Sequence, residues 1–260
     1  MQVEAVAAHI ENWLKTYCTD AGLNGFVVGV SGGIDSAVTS ALCARTGLPT
    51  TVCDLPIYQS SDQVSRGQTH MESLKRQYPN VCIEQVELTS TFDTLVNSLP
   101  HPEDDSNREM SLVNARARLR MTTLYYFAAL DNKLVVGTGN KVEDFGVGFY
   151  TKYGDGGVDI SPIADLMKTE VYELGRALGI GEEILKAQPT DGLWGDDRTD
   201  EDQIGASYPE LEWAMLFDGD ESKISERQKE VLKIYRRLHK ITKHKMVPIP
   251  VCEIPESLKA

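Results

Sequence analysis

An apolar run that ends in a glycine-rich bend constrains the fold of this chain more than any other feature. The stretch "FVVGVSGGIDSA", residues 26–37, passes from apolar residues through Ser31-Gly32-Gly33 into helix-forming residues. A short apolar run bounded by glycine is typical of a buried strand, and small residues allow a tight turn after it. The pattern therefore predicts a strand over 26–30, a sharp turn and a helix over 36–46.

Apolar and helical segments alternate through much of the remaining chain, after an amphipathic N-terminal helix. The predicted strands are 26–30, 50–56, 81–88 and 133–139. The predicted helices that follow are 36–46, 61–77, 91–97, 108–131, 168–178 and 224–242. This alternation predicts an α/β fold, a Rossmann-like parallel sheet with helices on both faces. Ligands of such sheets bind at the carboxyl ends of the strands.

Three polar or glycine-rich segments are predicted to be loops. Segment 98–107 is polar and contains proline, and segment 146–162 is rich in glycine. A long loop of the latter kind is usually functional. The acidic segment 190–207 is expected to be mobile, and together with part of 76–107 it is a candidate to close over a ligand.

The composition limits the classes of partner. The net charge of −13 argues against a nucleic-acid surface. The chain has no run of about 18 apolar residues and no secretory signal at its start, so no membrane association is expected. Five cysteines without a CxxC pair are expected to be reduced thiols, which predicts a cytoplasmic location and makes a zinc site improbable.

The bend after the first predicted strand is suited to an anion. Backbone N–H groups and hydroxyls of Ser31, Gly32, Gly33 and Ser36 would lie at a helix N-terminus, where phosphate binds well. The bend lacks both the GKS/T ending of a Walker loop and the GxGxxG pattern. Asp35 would fit beside a phosphate if Mg²⁺ bridged the two. Alternatively, Asp35 is only the N-cap of the helix.

The string "SGGIDS" after an apolar strand resembles the pyrophosphate loop of the N-type ATP pyrophosphatases. Members of that superfamily cleave ATP between the α- and β-phosphates in order to adenylate a carboxyl or carbonyl group. They include the synthetases of NAD, GMP, asparagine and argininosuccinate and several tRNA-modifying enzymes. The resemblance implies the adenine nucleotide alpha hydrolase-like form of the parallel sheet.

Motifs in the second half of the chain narrow this resemblance. They are "NARARLRM" (114–121), "VVGTGNKVED" (135–144), "FYTKYGDGGVDISPIADLMKTEVYELG" (149–175), "QPT" (188–190), "DDRTDEDQIG" (196–205) and "HKMVPIP" (244–250). In this order they resemble the ammonia-dependent NAD synthetases. The resemblance implies a single synthetase domain over 1–260. In the reaction of this family, the carboxylate of deamido-NAD attacks the α-phosphate of ATP and releases pyrophosphate. Ammonia then attacks the resulting mixed anhydride, which gives NAD and AMP.

The resemblance also implies residues for each part of the site. ATP would contact Gly29, Val30, Ser31, Gly32, Gly33, Ile34, Asp35, Ser36, Thr138, Lys168 and Thr190. Deamido-NAD would contact Arg118, Lys152, Asp159, His244 and Lys245. Asp35 and Glu143 would hold Mg²⁺. The implied catalytic residues are Lys168, which would stabilise charge at the α-phosphate, and Asp155, which would hold ammonium and take its proton.

Several of these residues also have a simpler interpretation. Glu143 and Asp144 could be surface acids, and Asp155 could only shape a glycine turn. His244 could be solvated among neighbouring lysines. A cation at a helix N-terminus is electrostatically unfavourable, which favours a binding role for Lys168.

Two departures from the family pattern affect these assignments. The spacing between Glu143 and Lys152 differs by about one residue, so Lys152 is assigned from the string "TKYGDGG". The sequence that follows "LP" after the second predicted strand also differs, which leaves the adenine contacts unassigned.

Arg116, Arg118 and Arg120 alternate along a predicted helix, so at least one is expected to be a solvated charge, and only Arg118 is assigned.

The nitrogen source is predicted from the length of the chain before Phe26, and the assembly is implied by the resemblance. Only about 25 residues precede Phe26, which is too few for the amidohydrolase domain of glutamine-dependent relatives. Free ammonia is the expected donor, unless a separate subunit delivers it. The family also implies a homodimer, with helix 108–131 as a candidate interface element.

Two other hypotheses remain. The chain could be another ATP pyrophosphatase, such as a tRNA-modifying or GMP-type amidating enzyme, although the tRNA enzymes usually carry cysteine pairs or a basic domain. It could also be a nucleotide-binding sensor without catalysis. Loss of Lys168, Asp35 or Glu143 would favour a sensor, and all three are present.

Overall fold

The computed structural model describes residues 1–101, 106–190 and 199–259 of the chain. Its strands are β1 Phe26–Gly29, β2 Thr50–Asp54, β3 Val81–Gln85 and β4 Leu134–Val135. Its α-helices are α1 Val3–Asp20, α2 Ile34–Arg45, α3 Ser61–Gln77, α4 Thr89–Ser98, α5 Arg108–Asp131, α6 Lys168–Ala177, α7 Glu182–Leu185, α8 Asp200–Ile204, α9 Tyr208–Leu216 and α10 Glu226–Met246. A π-helix covers Val142–Val147, and 3₁₀ turns cover Glu221–Lys223 and Glu256–Leu258.

The sheet is parallel, as predicted. Its order is β3-β2-β1-β4, and each neighbouring pair runs in the same direction. Side chains of β1 alternate between two hydrophobic clusters, because Phe26 and Val28 pack on one face while Val27 packs on the other. Both faces of the central strand are therefore buried, which is the arrangement that parallel sheets require.

Helices cover both faces of this sheet. The first hydrophobic cluster includes residues of α1, α2 and α6, such as Leu14, Leu42 and Leu174. The second includes residues of α4 and α5, such as Phe92 and Ala128. None of the described helices combines the length and apolar composition needed to cross a membrane.

The π-helix and α9, which were not predicted from the sequence, form a third hydrophobic cluster with α10. The π-helix packs with α9 and α10 through Val142, Leu211 and Leu232. This cluster attaches the carboxyl-terminal helices to the segment that carries Glu143. The short helix α8 lies within the segment predicted to be a loop over 190–207, while residues 191–198 of that segment lie outside the described residues.

Predicted element bounds agree best for two helices. Helices α3 and α5 begin and end where the sequence predicts. The strands are shorter than predicted, most of all β4, which was expected over 133–139. The ladder between β1 and β4 ends at Val136, whose N–H donates to the Val27 carbonyl at 2.9 Å and which pairs with Ile160 in an isolated parallel bridge. Beyond these residues the segment that follows β4 diverges from β1 at the carboxyl edge of the sheet, where a cavity lies.

Candidate active site

A cavity of about 510 Å³ lies at the carboxyl ends of β1, β2 and β4. Every residue predicted to contact ATP lines it, from the bend at 29–36 to Thr138, Lys168 and Thr190. Glu143, on the π-helix, lines it as well. This placement is the one expected for a ligand site in a parallel α/β sheet.

The glycine bend is held tightly at the start of α2. Gly32 has a positive φ of 82°, and a side chain there would clash with the carbonyl oxygen of Gln63 on α3. The hydroxyl of Ser36 accepts the Ser31 N–H at 3.2 Å and donates to the Gly33 carbonyl at 3.0 Å. The bend is therefore a rigid loop that presents its backbone at a helix N-terminus, as anion binding requires.

The alternative role of Asp35 as an N-cap is wrong. Helix α2 begins at Ile34, two residues earlier than predicted, and its N-cap is Gly33. Asp35 thus lies in the first helical turn, where its carboxylate is free to face the cavity rather than the backbone of its own helix.

A buried lysine joins the two predicted metal carboxylates. The Lys168 ammonium donates to Asp35 Oδ2 at 2.5 Å and to Glu143 Oε1 at 2.9 Å. The side-chain amide of Asn140 donates through Nδ2 to Asp35 Oδ1 at 3.1 Å and accepts the Glu143 N–H through Oδ1 at 3.1 Å. Burial alone would lower the pKa of Lys168, but the two carboxylates outweigh burial and raise that pKa. The ammonium therefore stays charged, and Glu143 is not a surface acid.

Tyr208 and Asp200 also belong to this cluster, although neither was assigned from the sequence. The hydroxyl of Tyr208 donates to Glu143 Oε1 at 2.5 Å and lies 3.3 Å from Asp200 Oδ2. Lys168 Nζ lies 4.7 Å from the centre of the Tyr208 ring. Tyr208 is buried. Its ring and the two carboxylates together hold the Lys168 ammonium in one position. No local pattern marks Tyr208, because its partner Glu143 lies 65 residues away in the sequence.

The π-helix explains how Glu143 is presented. A π-helix closes wider hydrogen-bonded turns than an α-helix, with i→i+5 bonds, and such turns are frequent at functional sites. The π-helix also brings the Asp144 carboxylate against Gly139, where no side chain would fit.

Two carboxyl groups beside this cluster have raised pKa values. Burial, followed by the charges of Glu143, Asp155 and Asp35, raises the pKa of Asp144 to about 8. Burial raises the pKa of Asp155 to about 6, partly offset by the N–H of Thr151, which donates to its Oδ1 at 2.9 Å. Solvent reaches Asp155 through the open cavity, although protein atoms surround its carboxylate. Asp155 thus shapes its turn and lines the cavity at the same time.

Comparison with known proteins identifies the family. The family model described as NAD synthase matches residues 6–248. The chain belongs to the NAD synthase family. It is 38% identical to the NH(3)-dependent NAD(+) synthetase of Alkaliphilus metalliredigens over 98% of both chains. It is 35% identical to that of Carboxydothermus hydrogenoformans, over 90% of this chain and 91% of the relative.

Solved structures of this family share the fold. NMN synthetase from Francisella tularensis superposes with a TM-score of 0.85 at 32% identity, covering 98% of this chain and 100% of the other. The NH3-dependent NAD synthetase of Campylobacter jejuni gives a TM-score of 0.74 at 25% identity, covering 97% and 100%. The predicted adenine nucleotide alpha hydrolase-like form of the parallel sheet is confirmed.

The residues that family membership suggests for deamido-NAD lie in three different places. Lys245 lines the cavity and donates to the carbonyl oxygens of Gly148 and Tyr150. Asp159 accepts hydrogen bonds from the Tyr125 hydroxyl and the Val135 N–H, so it supports β4.

The remaining three residues of that set form a chain on the surface. Arg118 donates to the Lys152 carbonyl at 3.3 Å, and Lys152 donates to the His244 carbonyl at 2.9 Å. Arg118 and His244 are exposed. We call Arg118, Lys152 and His244 the rim group. Its binding role stays a prediction.

Three alternating arginines of α5, Arg116, Arg118 and Arg120, lie in different environments, as their spacing predicts. At least one solvated charge was expected, and the exposed residue is Arg118, the one assigned to deamido-NAD, while the Arg116 guanidinium lies 5.7 Å from the Phe92 ring centre. Arg120 was not assigned from the sequence, yet it lines the cavity. It donates to the Leu55 carbonyl at 2.9 Å, and burial lowers its pKa to about 10.

Proposed function

We propose that this member of the NAD synthase family amidates deamido-NAD with ammonia at the expense of ATP, giving NAD, AMP and pyrophosphate. The single observation that carries the proposal is the shared cavity of the glycine bend and the cluster of Asp35, Lys168 and Glu143. One side of this cavity can bind phosphates through backbone N–H groups, and the other supplies buried charge.

Mg²⁺ fits the charges of this cluster. The carboxylates of Asp35 and Glu143, whose side chains are each 16% exposed, share one ammonium, which leaves an excess negative charge in a poorly hydrated place. The described residues contain no group of three or more His, Cys, Asp and Glu arranged to hold a metal alone. One or two carboxylates completed by phosphate oxygens is the usual donor set for Mg²⁺ at a nucleotide. Asp35 and Glu143 would hold the ion, which would neutralise charge on the phosphates of ATP.

In the first step, the residues of the cavity orient ATP and stabilise charge. N–H groups of the bend at 29–36 bind the phosphates that leave, and the positive charge of Lys168 stabilises the negative charge that develops at the α-phosphate. A carboxylate oxygen of deamido-NAD forms a bond to the α-phosphorus, and the bond from that phosphorus to the bridging oxygen breaks. The electron pair leaves with pyrophosphate. A preorganised positive charge of this kind contributes on the order of 10²–10³ in rate.

In the second step, Asp155 holds the nucleophile. Ammonia attacks the carbonyl carbon of the mixed anhydride, the bond to the AMP oxygen breaks, and AMP leaves with the electron pair. A proton passes from the attacking nitrogen to the Asp155 carboxylate. A carboxylate with a pKa of about 6 accepts a proton more readily than an ordinary aspartate near neutral pH.

A homodimer would complete the substrate site. The rim group is open to solvent and so leaves one side of a bound dinucleotide uncovered. Helix α5 exposes Tyr126 and Leu130, at 60% and 63%, on the face away from the sheet. A second copy against this face is the proposed assembly, and the single domain over 1–260 in the cytoplasm is the proposed functional unit. Light scattering should give a mass of two chains for the wild type and a mass of one chain for Leu130→Glu.

The products test the proposed reaction. ATP, deamido-NAD, ammonium and Mg²⁺ are incubated with the protein, and the products are separated by liquid chromatography. NAD, AMP and pyrophosphate are expected in equal amounts. Release of ADP and orthophosphate would exclude attack at the α-phosphate.

A second candidate reaction is the formation of NMN from nicotinate mononucleotide. It is favoured by the likeness to NMN synthetase from Francisella tularensis, whose TM-score of 0.85 exceeds the 0.74 of the Campylobacter jejuni NAD synthetase. Both acids carry the same nicotinate carboxylate, so the chemistry at the α-phosphate is unchanged. Values of kcat/KM for the two acids, measured with the same preparation, decide between a dinucleotide and a mononucleotide substrate.

A further inference from the structure

The cationic side chains of the cavity differ in whether they have partners. Four line it in the described part of the chain: Arg66, Arg120, Lys168 and Lys245. Lys168 is paired with two carboxylates, Lys245 donates to two backbone carbonyls, and Arg120 donates to a carbonyl and to Gln59. Arg66 makes no side-chain hydrogen bond or ion pair with any described residue, and its Nε is buried without an acceptor.

Arg66 is held directly beside the glycine bend. It lies on α3, the helix whose Gln63 carbonyl leaves no space for a side chain on Gly32. A side chain built on Gly32 would also lie 3.5 Å from the Arg66 Cβ. The contact that requires glycine at this position therefore also fixes the stem of Arg66 next to the bend.

An arginine without an acceptor is unexpected at this position. The chain carries 39 acidic residues against 26 basic ones, so carboxylate partners are abundant. A buried N–H group without a hydrogen bond costs free energy, which a bound acceptor would recover. The guanidinium presents donors in a fork that matches two phosphate oxygens. Lys168, which acts near the α-phosphate, already donates to Asp35 and Glu143, so it leaves the departing phosphates to another cation.

We propose that Arg66 binds the β- and γ-phosphates of ATP and stabilises pyrophosphate as it leaves. The proposal rests on the proposed function, because it assigns Arg66 to the first step. As the bond between the α-phosphorus and the bridging oxygen breaks, negative charge grows on the departing oxygens. Arg66 donates N–H hydrogen bonds to those oxygens and keeps its own protons. It is thus a catalytic residue that contacts the leaving group opposite the backbone of the bend.

The test compares two arginines of one helix. Arg66→Gln and the control Arg76→Gln each remove one positive charge from α3, but Arg76 is exposed in its last turn. Binding of inorganic pyrophosphate with Mg²⁺ is measured by calorimetry, and release of AMP is measured separately. Arg66→Gln should weaken pyrophosphate binding by about tenfold, since it removes charge-assisted hydrogen bonds. It should slow AMP release by about 10²-fold. Arg76→Gln should change neither value.

The outcomes separate this proposal from the proposed reaction. Equal pyrophosphate binding by Arg66→Gln and wild type would overturn the role of Arg66, whatever the products are. If the wild type releases ADP instead of AMP, the proposed reaction fails, while pyrophosphate binding still tests the Arg66 contact. If Arg66→Gln does not fold, pyrophosphate binding is measured with Arg66→Lys instead. This variant keeps the positive charge but loses the paired N–H donors of the guanidinium. Binding weakened threefold or more supports the contact, and unchanged binding contradicts it.

Discussion

The buried cluster of Asp35, Glu143 and Lys168 and the exposed rim group organise charge in opposite ways. In the buried cluster, one ammonium contacts two carboxylates at 2.5 and 2.9 Å. In the rim group, Arg118 and Lys152 donate to backbone carbonyls at 3.3 and 2.9 Å, and Lys152 also lies 5.4 Å from the centre of the Tyr153 ring. Neither cation pairs with a carboxylate of a described residue.

This difference shows which part of the site is already built in the folded chain. Charges removed from water must be paired, so the buried cluster is formed by folding itself. In the rim group, Arg118 and His244 are exposed and Lys152 is half-buried. Charges that keep contact with water gain little from any one contact, so the rim group is available to a ligand or a second subunit. Substitutions in the two regions should therefore differ in their effect on stability, and the following predictions test that difference in order of decreasing effect.

The largest effect is expected for Lys168→Met. It leaves two buried carboxylates without their cation, which should lower the free energy of unfolding by about 3–5 kcal/mol. Urea denaturation measures this change. Lys152→Met in the rim group is the control, with an expected change of less than about 1 kcal/mol. Similar losses for the two variants would contradict the distinction between buried and exposed charge.

Asp35→Asn should remove turnover while the fold remains. Lys168 keeps Glu143 as its partner in this variant, so circular dichroism and the unfolding midpoint should stay close to those of the wild type. The loss of one metal carboxylate should lower Mg²⁺-dependent product formation by about 10²–10³-fold. Full activity at ordinary Mg²⁺ concentrations would show that Asp35 does not hold the ion.

Tyr208→Phe tests the hydroxyl that reaches Glu143. The variant loses one hydrogen bond to a charged group, which is worth about 1.5–3 kcal/mol. Glu143 should then be held less firmly, so the Mg²⁺ concentration for half-maximal activity should rise by about tenfold, one decade for each 1.4 kcal/mol. Binding of Mn²⁺, followed by electron paramagnetic resonance, should weaken in parallel.

Tyr235→Phe is the matched control for the Tyr208 substitution. Tyr235 is half-buried on α10, stacks on His239, and its hydroxyl bonds to no other described residue. Metal binding that is unchanged in Tyr208→Phe, or equally weakened in Tyr235→Phe, would count against a role of Tyr208 in placing Glu143.

The smallest effect is expected for the pH dependence of stability. The folded-state pKa of Asp144 is raised to about 8, so between its ordinary value and pH 8 the folded protein retains a proton that the unfolded chain has lost. Stability should therefore fall as the pH rises through this window. Asp144→Asn should remove that contribution and be more stable than the wild type by about 1–2 kcal/mol at pH 8, with a smaller difference at pH 5.

The exposed Asp165 supplies the control for the pH experiment. Asp165→Asn removes one carboxylate whose side chain is 97% exposed, so it should leave the shape of the stability curve as it is in the wild type. If Asp144→Asn is no more stable than the wild type at pH 8, the carboxyl of Asp144 is not protonated in the folded protein.

Much of this molecule could be predicted from local pattern. The bounds of α3 and α5 follow from helical periodicity, and the bend at 31–33 follows from small residues after an apolar run. The same bend, read with the order of later motifs, led to the family and to the residues at 29–36, Thr138, Lys168 and Thr190 that line the cavity. The helix bounds and the bend are predictable because neighbours in the chain dictate hydrogen bonding and turn geometry, whereas the cavity residues were implied by the resemblance to the family.

Contacts between distant parts of the chain decided the rest. Tyr208 reaches Glu143 across 65 residues, and the π-helix that carries Glu143 packs on α9 and α10. The sequence marks Arg66 only as a polar residue on α3, and its place beside Gly32 depends on how α3 packs against the bend. Spacing can predict which residues share one helix face or strand edge. Whether a charge finds a partner depends on desolvation and on neighbours that only the packed chain brings together.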